Sequence, residues 1–281
     1  FFFLGIRRQW RFTLFPYPTL FRSSMQFTFY KYQGTGNDFV VIDNRDAFFP
    51  KTDTELAAQL CDRRFGVGAD GLLLLENHAS ADFSMVYYNS DGNLSSMCGN
   101  GGRCIAHFAR FLGIVSENVS FEAVDGMHEA CVINDWVSLK MNDVKQVSVF
   151  EDHVFLNTGS PHHVEMVSNL ADYEVLKNGR AIRNSLYGKA GANVNFVMQN
   201  DPAIFSVRTY ERGVEAETLS CGTGVTAVAI AMFETGKTSH DKVVLKTPGG
   251  QLQVRFEKTE QGYKNVHLEG PATQVFKGIW K

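Results

Sequence analysis

Two short stretches of the sequence, "MCGNGGRC" (residues 97–104) and "SCGTG" (residues 220–224), share an unusual pattern. In each of them a cysteine is followed at once by a Gly-X-Gly step. The first leads into the apolar run "IAHFARFL" and the second into "VTAVAIAMF". These runs predict two helices, each of which begins with a cysteine followed by glycines. The run "VTAVAIAMF" is apolar on nearly all sides, which predicts that the second helix is buried.

The two stretches belong to a longer internal repeat. A tyrosine stands 10 residues before Cys98 and 11 before Cys221, while Gly126 and Gly249 each follow their own cysteine by 28 residues. The halves are therefore offset by 122 to 123 residues. A period this long with two copies indicates a duplicated domain and not a solenoid. Two such domains facing each other would place both cysteines across one cleft.

Composition excludes several functional classes. The chain has 281 residues and a formal net charge of −3, which gives no electrostatic footprint for nucleic acid or an anionic membrane. Its five cysteines are widely spaced and contain no CxxC, so neither a disulfide scaffold nor a zinc site is expected. No stretch is apolar enough to span a bilayer. We expect a cytoplasmic protein in a reducing compartment.

Residues 1–24 carry four arginines and no acid, which is compatible with a transit peptide. We favour a second interpretation, because "TLFPYPTLFRS" resembles translated sequencing-adapter sequence and a clean start follows at Met25. Residues 1–24 are thus predicted to be a non-native or disordered leader.

Local patterns predict a strand-rich chain with few helices. The segment "TDTELAAQLCDRRF" opens with a capping box, Thr52 to Glu55, and places Leu56, Ala57, Leu60 and Cys61 on one helical face. Strands are predicted for these segments: "FVVID", "GLLLLE", "FSMVYYN", "ACVINDWVSLKM" with a turn at Asn134-Asp135, "NVNFVMQ", "FSVRTYERG", and "KVVLKTPGGQLQVRF" with a Pro-Gly-Gly hairpin.

The segment "GVGADG" (residues 66–71) satisfies GxGxxG, but it follows a helix and opens a strand. A dinucleotide site needs the reverse order. We interpret the segment as a tight helix-to-strand turn.

The glycine-entered helices suggest a chemistry. The first N–H groups of a helix lack partners and carry the positive end of its dipole, so a carboxylate can bind there. A cysteine at that point is predicted to have a thiol pKa lowered towards neutrality. Two such sites face to face could hold one α-amino carboxylate while one thiolate removes the α-proton and the opposite thiol supplies another. Cys98 and Cys221 are therefore the candidate catalytic pair, whereas Cys61, Cys104 and Cys131 are interpreted as structural.

From Met25 on, the chain resembles the diaminopimelate epimerase family. The resemblance rests on "GTGNDFVVID", "DRRFGVGADG", "YYNSDGNLSSMCGNGGRC", "GSPHHV", "GANVNFV", "YERGVEAETLSCGTG" and "TPGGQL". It implies a mixed α+β fold of two pseudo-symmetric domains, each a β-sheet wrapped around a central helix. The implied domains are residues 25–144, with residues 268–281 returning to them, and residues 145–267.

The resemblance also implies an activity, the interconversion of LL- and meso-2,6-diaminopimelate in lysine and peptidoglycan precursor biosynthesis. It implies no pyridoxal phosphate, no other cofactor and no metal. The expected partner is the small-molecule substrate, with no nucleic acid or membrane, and the expected assembly is a homodimer.

Residue by residue, the resemblance assigns Cys98 and Cys221 to catalysis. It assigns the reacting carboxylate to the amides of Gly99, Asn100, Gly222 and Thr223, and the groups beside the amino-acid head to Glu211 and His162. The remaining implied substrate contacts are Asn37, Asn89, Ser160, Asn193 and Arg212, with Arg212 suited to a bidentate grip on the distal carboxylate.

Three positions depart from the family pattern. Ser160 replaces a common Asn, Gly71 replaces a common Gln, and the segment from residue 211 to 221 is one residue longer. Three alternatives therefore stay open: a proline or hydroxyproline racemase of this fold, a non-catalytic amino-acid-binding module, and a thiol-disulfide oxidoreductase. The paired cysteines argue against the second, and the lack of CxxC argues against the third.

Overall fold

The chain was analysed as a computed structural model, which describes residues 26–95 and 97–281. The prediction of a leader at residues 1–24 lies outside the described residues. Four helices are described: α1 (Thr54–Cys61), α2 (Gly99–Phe111), α3 (Val175–Tyr187) and α4 (Gly222–Glu234).

Seventeen strands are described. In the first half they are β1 (Phe27–Gly34), β2 (Asn37–Asp43), β3 (Gly71–Glu76), β4 (Phe83–Asn89), β5 (Asn118–Ala123), β6 (Gly126–Ile133) and β7 (Trp136–Lys140). They continue as β8 (Val147–Val149), β9 (Val154–Asn157), β10 (Pro161–Met166), β11 (Asn193–Asp201), β12 (Ile204–Glu211), β13 (Ala216–Thr218), β14 (Lys242–Thr247), β15 (Gly250–Thr259), β16 (Gly262–Pro271) and β17 (Thr273–Trp280).

The strand pairings form one continuous ladder. Its order is β17-β1-β2-β3-β4-β5-β6-β7-β16-β15-β14-β12-β11-β10-β9-β8, with β13 attached to β12. The last strand, β17, lies antiparallel to β1, and β16 joins β7 to β15. The proposed domain boundary at residues 267/268 falls inside β16, so the sheet is continuous across it; the boundaries stay a prediction.

Duplication is visible in the connections. Four strand pairs are parallel: β2–β3, β4–β5, β10–β11 and β12–β14. Each pair is bridged by one helix, α1 and α2 in the first half and α3 and α4 in the second. Two β-α-β crossovers per half, in the same order, confirm the two-repeat α+β fold expected from the spacing of the CGxG stretches.

Each half wraps its sheet around its second helix. In α4 every residue from Val225 to Met232 is buried, and these side chains pack against strands of the second half. In α2 the apolar residues Ile105, Ala106 and Phe108 are buried against strands of the first half, together with Cys104. Both cysteine-bearing helix starts are therefore anchored by helices that bury most of their residues.

Most local predictions are confirmed. The hairpin turn at Asn134 has a φ of 53°, "GVGADG" is a helix-to-strand turn with Gly68 at φ 81°, and the four predicted residues of α1 are its buried face. The capping box is wrong. Asp53, not Thr52, caps α1, and its Oδ1 accepts a hydrogen bond from the amide of Leu56 at 2.9 Å. Both residue types cap helices well, so the sequence alone did not decide between neighbours.

Within the described residues, no helix is long and apolar enough to cross a membrane.

Candidate active site

The two cysteines cap the two central helices. Cys98 is the N-cap of α2 and Cys221 the N-cap of α4, both with extended backbones. The helix starts nearly touch, since a Cβ built on Gly222 would lie 3.4 Å from the Cα of Gly99. A Cβ on either glycine would also lie 2.9 Å from the same atom, Cδ2 of Leu268. Glycine at both positions allows the close approach, which brings the two cysteines into one site.

The thiol pKa prediction is wrong in direction. Burial raises the pKa of both Cys98 and Cys221, and the nearby Glu211 carboxylate raises both further. The helix-start amides act as expected, since those of Asn100 and Gly101 lower the pKa of Cys98 and that of Gly224 lowers the pKa of Cys221. Desolvation outweighs them, because a thiolate loses more solvation in a buried site than a few amides return.

On the first-half side, the amides of Asn37 and Asn100 meet Cys98. Oδ1 of Asn37 accepts from the Cys98 thiol at 3.5 Å and from Nδ2 of Asn100 at 3.2 Å. Nδ2 of Asn37 donates to the Asp70 carboxylate at 2.7 Å, while Oδ1 of Asn100 accepts from Arg103 at 3.0 Å. An anion and a cation thus fix the orientation of both amides from opposite ends.

On the second-half side, a directed hydrogen-bond chain leads to Cys221. Nδ2 of Asn195 donates to the His163 carbonyl at 2.9 Å, so it also faces Nδ1 of His162 (3.2 Å) as a donor. Burial, with Arg212 nearby, lowers the pKa of His162 to about 3, so the ring is neutral. The closer donor, Asn195 at Nδ1, places the ring proton on Nε2, although Nδ2 of Asn193 lies 3.4 Å from that atom. That N–H donates to Oγ1 of Thr223 at 2.9 Å, and the Thr223 hydroxyl lies 3.5 Å from Sγ of Cys221.

Ser160, Asn193 and Arg212 form a polar group beside this chain. Oγ of Ser160 accepts from Nδ2 of Asn193 at 3.0 Å and from the Arg212 guanidinium at 3.3 Å. Oδ1 of Asn193 accepts from the backbone N–H of Arg212 at 2.8 Å. Ser160 therefore keeps an acceptor where the family pattern has Asn, and the exposed Arg212 side chain is held over the site.

Glu211 ends β12, and its carboxylate acts electrostatically on both thiols. Its own pKa is raised by burial, and its Oε2 accepts from the Thr218 hydroxyl at 2.9 Å. The segment from 211 to 221 contains a turn with Glu215 at φ 57°.

Asn89 stands apart from the other predicted contacts. It ends β4 as an exposed residue opposite Gly71, and within the described residues its side chain bonds to none of the predicted site residues. Gly71 itself has no room for a side chain, because the Tyr87 ring and the Tyr88 carbonyl occupy the space that a Cβ would need.

The sequence profile of the diaminopimelate epimerase family matches residues 29–147 and 154–275. The chain belongs to the diaminopimelate epimerase family. A diaminopimelate epimerase of Flavobacterium psychrophilum is 57% identical over 250 residues, covering 88% of this chain and 98% of the relative. One from Chlorobaculum tepidum is 43% identical over 256 residues, covering 87% and 98%.

Solved structures show the same fold at low identity. A PhzF-family phenazine biosynthesis protein of Bacillus anthracis has a TM-score of 0.73 at 14% identity, covering 91% of this chain and 99% of its own. A hydroxyproline epimerase of Agrobacterium vitis has a TM-score of 0.62 at 14% identity, covering 91% and 92%. The diaminopimelate epimerase fold is thus shared with proteins of other names.

Sequence reasoning missed three residues that hold the site: Asp70, Arg103 and Asn195. Asp70 belongs to "GVGADG", which was correctly interpreted as a turn, but nothing local shows that the turn reaches Asn37. Arg103 lies inside a helix, where arginine is commonplace. Asn195 is a buried polar residue in the strand run "NVNFV", and that pattern was the available signal.

Proposed function

We propose that the protein interconverts LL- and meso-2,6-diaminopimelate by proton removal at one cysteine and proton delivery at the other. The observation that carries this is the meeting of two cysteine-capped helix starts, with Gly99 and Gly222 in near contact. The α-proton of an amino acid is a weak acid, so its removal requires that the carboxylate oxygens be stabilised as charge moves onto them. The amides of Gly99, Asn100, Gly222 and Thr223 would supply that stabilisation.

The neutral His162 and the carboxyl of Glu211 would receive the amino group at the reacting carbon. Both groups lie beside the cysteines, and neither adds a fixed positive charge that would repel an ammonium. The distal amino-acid head would contact Asn37, Asn193, Ser160 and Arg212, with Asn89 at the outer edge. A guanidinium and several amides suit a second charged head group, which favours diaminopimelate over proline or hydroxyproline.

The decisive experiment follows deuterium from heavy water. A thiol exchanges its proton with solvent, so the delivering cysteine carries deuterium before the substrate is deprotonated. Early in the reaction the product epimer should be almost fully labelled at the inverted carbon, while remaining substrate stays largely unlabelled, from either direction. Mass spectrometry of the separated stereoisomers measures this. Mostly unlabelled product would mean that one base serves both faces.

Location, assembly and cofactor need belong to the same proposal. All five cysteines are free, and a catalytic thiol pair requires a reducing compartment, which supports the cytoplasm. Among the residues that the structure describes, strand β17 pairs with β1 alone and exposes Val275, Phe276 and Ile279, which supports a homodimer. Activity should survive dialysis against a chelator and removal of pyridoxal phosphate.

A further inference from the structure

Arg103 is a fully buried arginine whose charge has no carboxylate partner among the described residues. Its side chain is 0% exposed, and its Nε has no hydrogen-bond partner. The guanidinium donates only to neutral oxygens: Oδ1 of Asn100 at 3.0 Å, Oγ1 of Thr35 at 3.4 Å and the Gly99 carbonyl at 3.4 Å. A buried cation without an anion is strongly unfavourable, so its presence requires a compensating function.

The position of Arg103 shows where the compensating anion would come from. Burial lowers the pKa of the Arg103 guanidinium, and the two groups that oppose this shift are Cys104 and Cys98, which favour the charged form as thiolates. Arg103 lies one helical turn beyond Gly99, directly behind the amides that start α2. Gly34 packs closely against it, since a Cβ there would lie 3.2 Å from Nη2.

Arg103 also fixes the orientation of the amides in front of it. Because it can only donate, it holds Oδ1 of Asn100 and turns Nδ2 of that residue towards Asn37 (3.2 Å) and the Ser220 carbonyl (3.2 Å). Asp70 holds the other end of the Asn37 amide. The hydrogen bonds from Arg103 through Asn100 and Asn37 to Asp70 therefore all run in the same donor-to-acceptor direction. The side-chain amide of Asn100 cannot flip without losing its bond to the Arg103 guanidinium.

We propose that Arg103 is a positioning residue that acts through Asn100 and the start of α2. It supplies a positive charge behind the amides of Gly99, Asn100, Gly222 and Thr223, which are proposed to bind the reacting carboxylate. The charge is compensated when an anion occupies the site, either the Cys98 thiolate or the reacting carboxylate of an amino-acid substrate. The inference rests on the proposed function in naming that carboxylate. In the empty protein the buried charge of Arg103 lowers stability, but the amides that bind the carboxylate already lie beside a positive charge when the substrate arrives.

The charged and titratable groups around Cys98 set the direction of the expected pH effect. Arg103 lowers the Cys98 pKa, whereas burial and Glu211 raise it. Cys221, Tyr87 and Cys104 also interact electrostatically with Cys98. Removing the guanidinium should therefore leave Cys98 harder to ionise.

The test compares Arg103→Met with Arg103→Lys. Methionine fills much of the space without charge, so Arg103→Met should keep or increase the urea midpoint of the empty protein. It should nevertheless lower kcat at least about 100-fold and move the acid limb of kcat/KM about 1 pH unit upward. Arg103→Lys keeps the charge but loses the planar guanidinium that donates to Asn100, Thr35 and Gly99, so its acid limb should stay near that of the unmodified protein while kcat falls less.

Arg110→Met is the matched control. Arg110 lies on the same helix, is half-buried and donates to the Val132 carbonyl at 2.9 Å, away from the cysteines. This variant should keep kcat and the pH profile. If Arg103→Met instead loses stability and activity together with an unchanged pH profile, Arg103 is only structural and the proposal is overturned. The same conclusion holds if Arg103→Met retains normal kcat, or if Arg103→Lys behaves like Arg103→Met.

A readout without turnover separates this inference from the proposed function. In a Cys221→Ala background, the ultraviolet absorbance of the thiolate is recorded with and without the further change Cys98→Ala, and the difference reports the ionisation of Cys98, because Cys61, Cys104 and Cys131 contribute to both. Adding Arg103→Met should raise its midpoint, even if diaminopimelate proves not to be the substrate. An unchanged midpoint overturns the role of Arg103, whereas a raised midpoint without epimerase activity overturns only the proposed function.

Discussion

Cys98 and Cys221 occupy matching places, yet their side chains meet groups of opposite hydrogen-bonding character. Cys98 faces Oδ1 of Asn37, which can only accept, whereas Cys221 faces the hydroxyl of Thr223, which can donate. The spacing of the CGxG stretches predicted both cysteines. It could not predict the raised thiol pKa values, because burial of a helix start depends on how the two halves meet and not on the residues beside the cysteine.

Alanine substitutions should separate catalytic from structural cysteines. Cys98→Ala or Cys221→Ala should lower kcat at least about 1,000-fold in a folded protein, because a general acid or base is lost. Cys104→Ala should keep activity but destabilise by about 1 kcal/mol, since Cys104 is fully buried in the first core. Steady-state rates and urea unfolding measure the two effects. Near-normal turnover by Cys98→Ala would contradict the two-base mechanism.

His162 should make stability depend on pH. Its folded pKa, about 3, lies below the ordinary 6.5, so its contribution is fully present above about pH 6.5 and is lost as pH falls towards about 3. Between about pH 7 and pH 5 it should account for about 2 kcal/mol of lost unfolding free energy. Urea titrations of the unmodified protein and of His162→Gln test this. Equal losses in both proteins would show that the ring is not held neutral by burial.

Helices and strands were the most predictable level of the structure. The 3.6-residue pattern of α1 and the all-apolar α4 follow from sequence, because each is a property of adjacent residues. The start of α1 was missed by one residue, since Thr52 and Asp53 are both good caps and tertiary contacts choose between them.

The capping residue of α1 can be tested directly. Asp53→Ala should lower the unfolding free energy by about 1 kcal/mol, because the Leu56 amide loses its acceptor. Thr52→Ala is the neighbouring control and should have a smaller effect. Urea unfolding at neutral pH measures both. A larger loss for Thr52→Ala would restore the capping box predicted from the sequence.

At the scale of the whole molecule, the sheet runs without interruption through both halves. The link is the pairing of β7 with β16, two strands more than 120 residues apart in the chain (262 − 140 = 122). Duplication was visible in the sequence from the repeated spacing, but this pairing was not. No local signal identifies the partner of a strand at such separation, because register depends on how buried faces match.

The continuous sheet predicts that both halves unfold together. Trp136 lies at the β7–β16 junction and Trp280 at the end of β17, opposite β1, so in a Trp10→Phe background their fluorescence reports unfolding of the first half. Its urea transition should coincide with that of far-ultraviolet circular dichroism, as for a two-state protein. Separate transitions would instead favour two domains that unfold independently.

The pairing of β17 with β1 places Phe27 directly opposite Trp280. Antiparallel partners lie about 5 Å apart at their Cα atoms. A short glycine linker could therefore join residue 280 to residue 27, and new ends could be opened at the exposed β15–β16 turn, Glu260–Gln261. The fold is in this sense nearly cyclic, and a circularly permuted chain should retain both cysteine-capped helices and their facing arrangement.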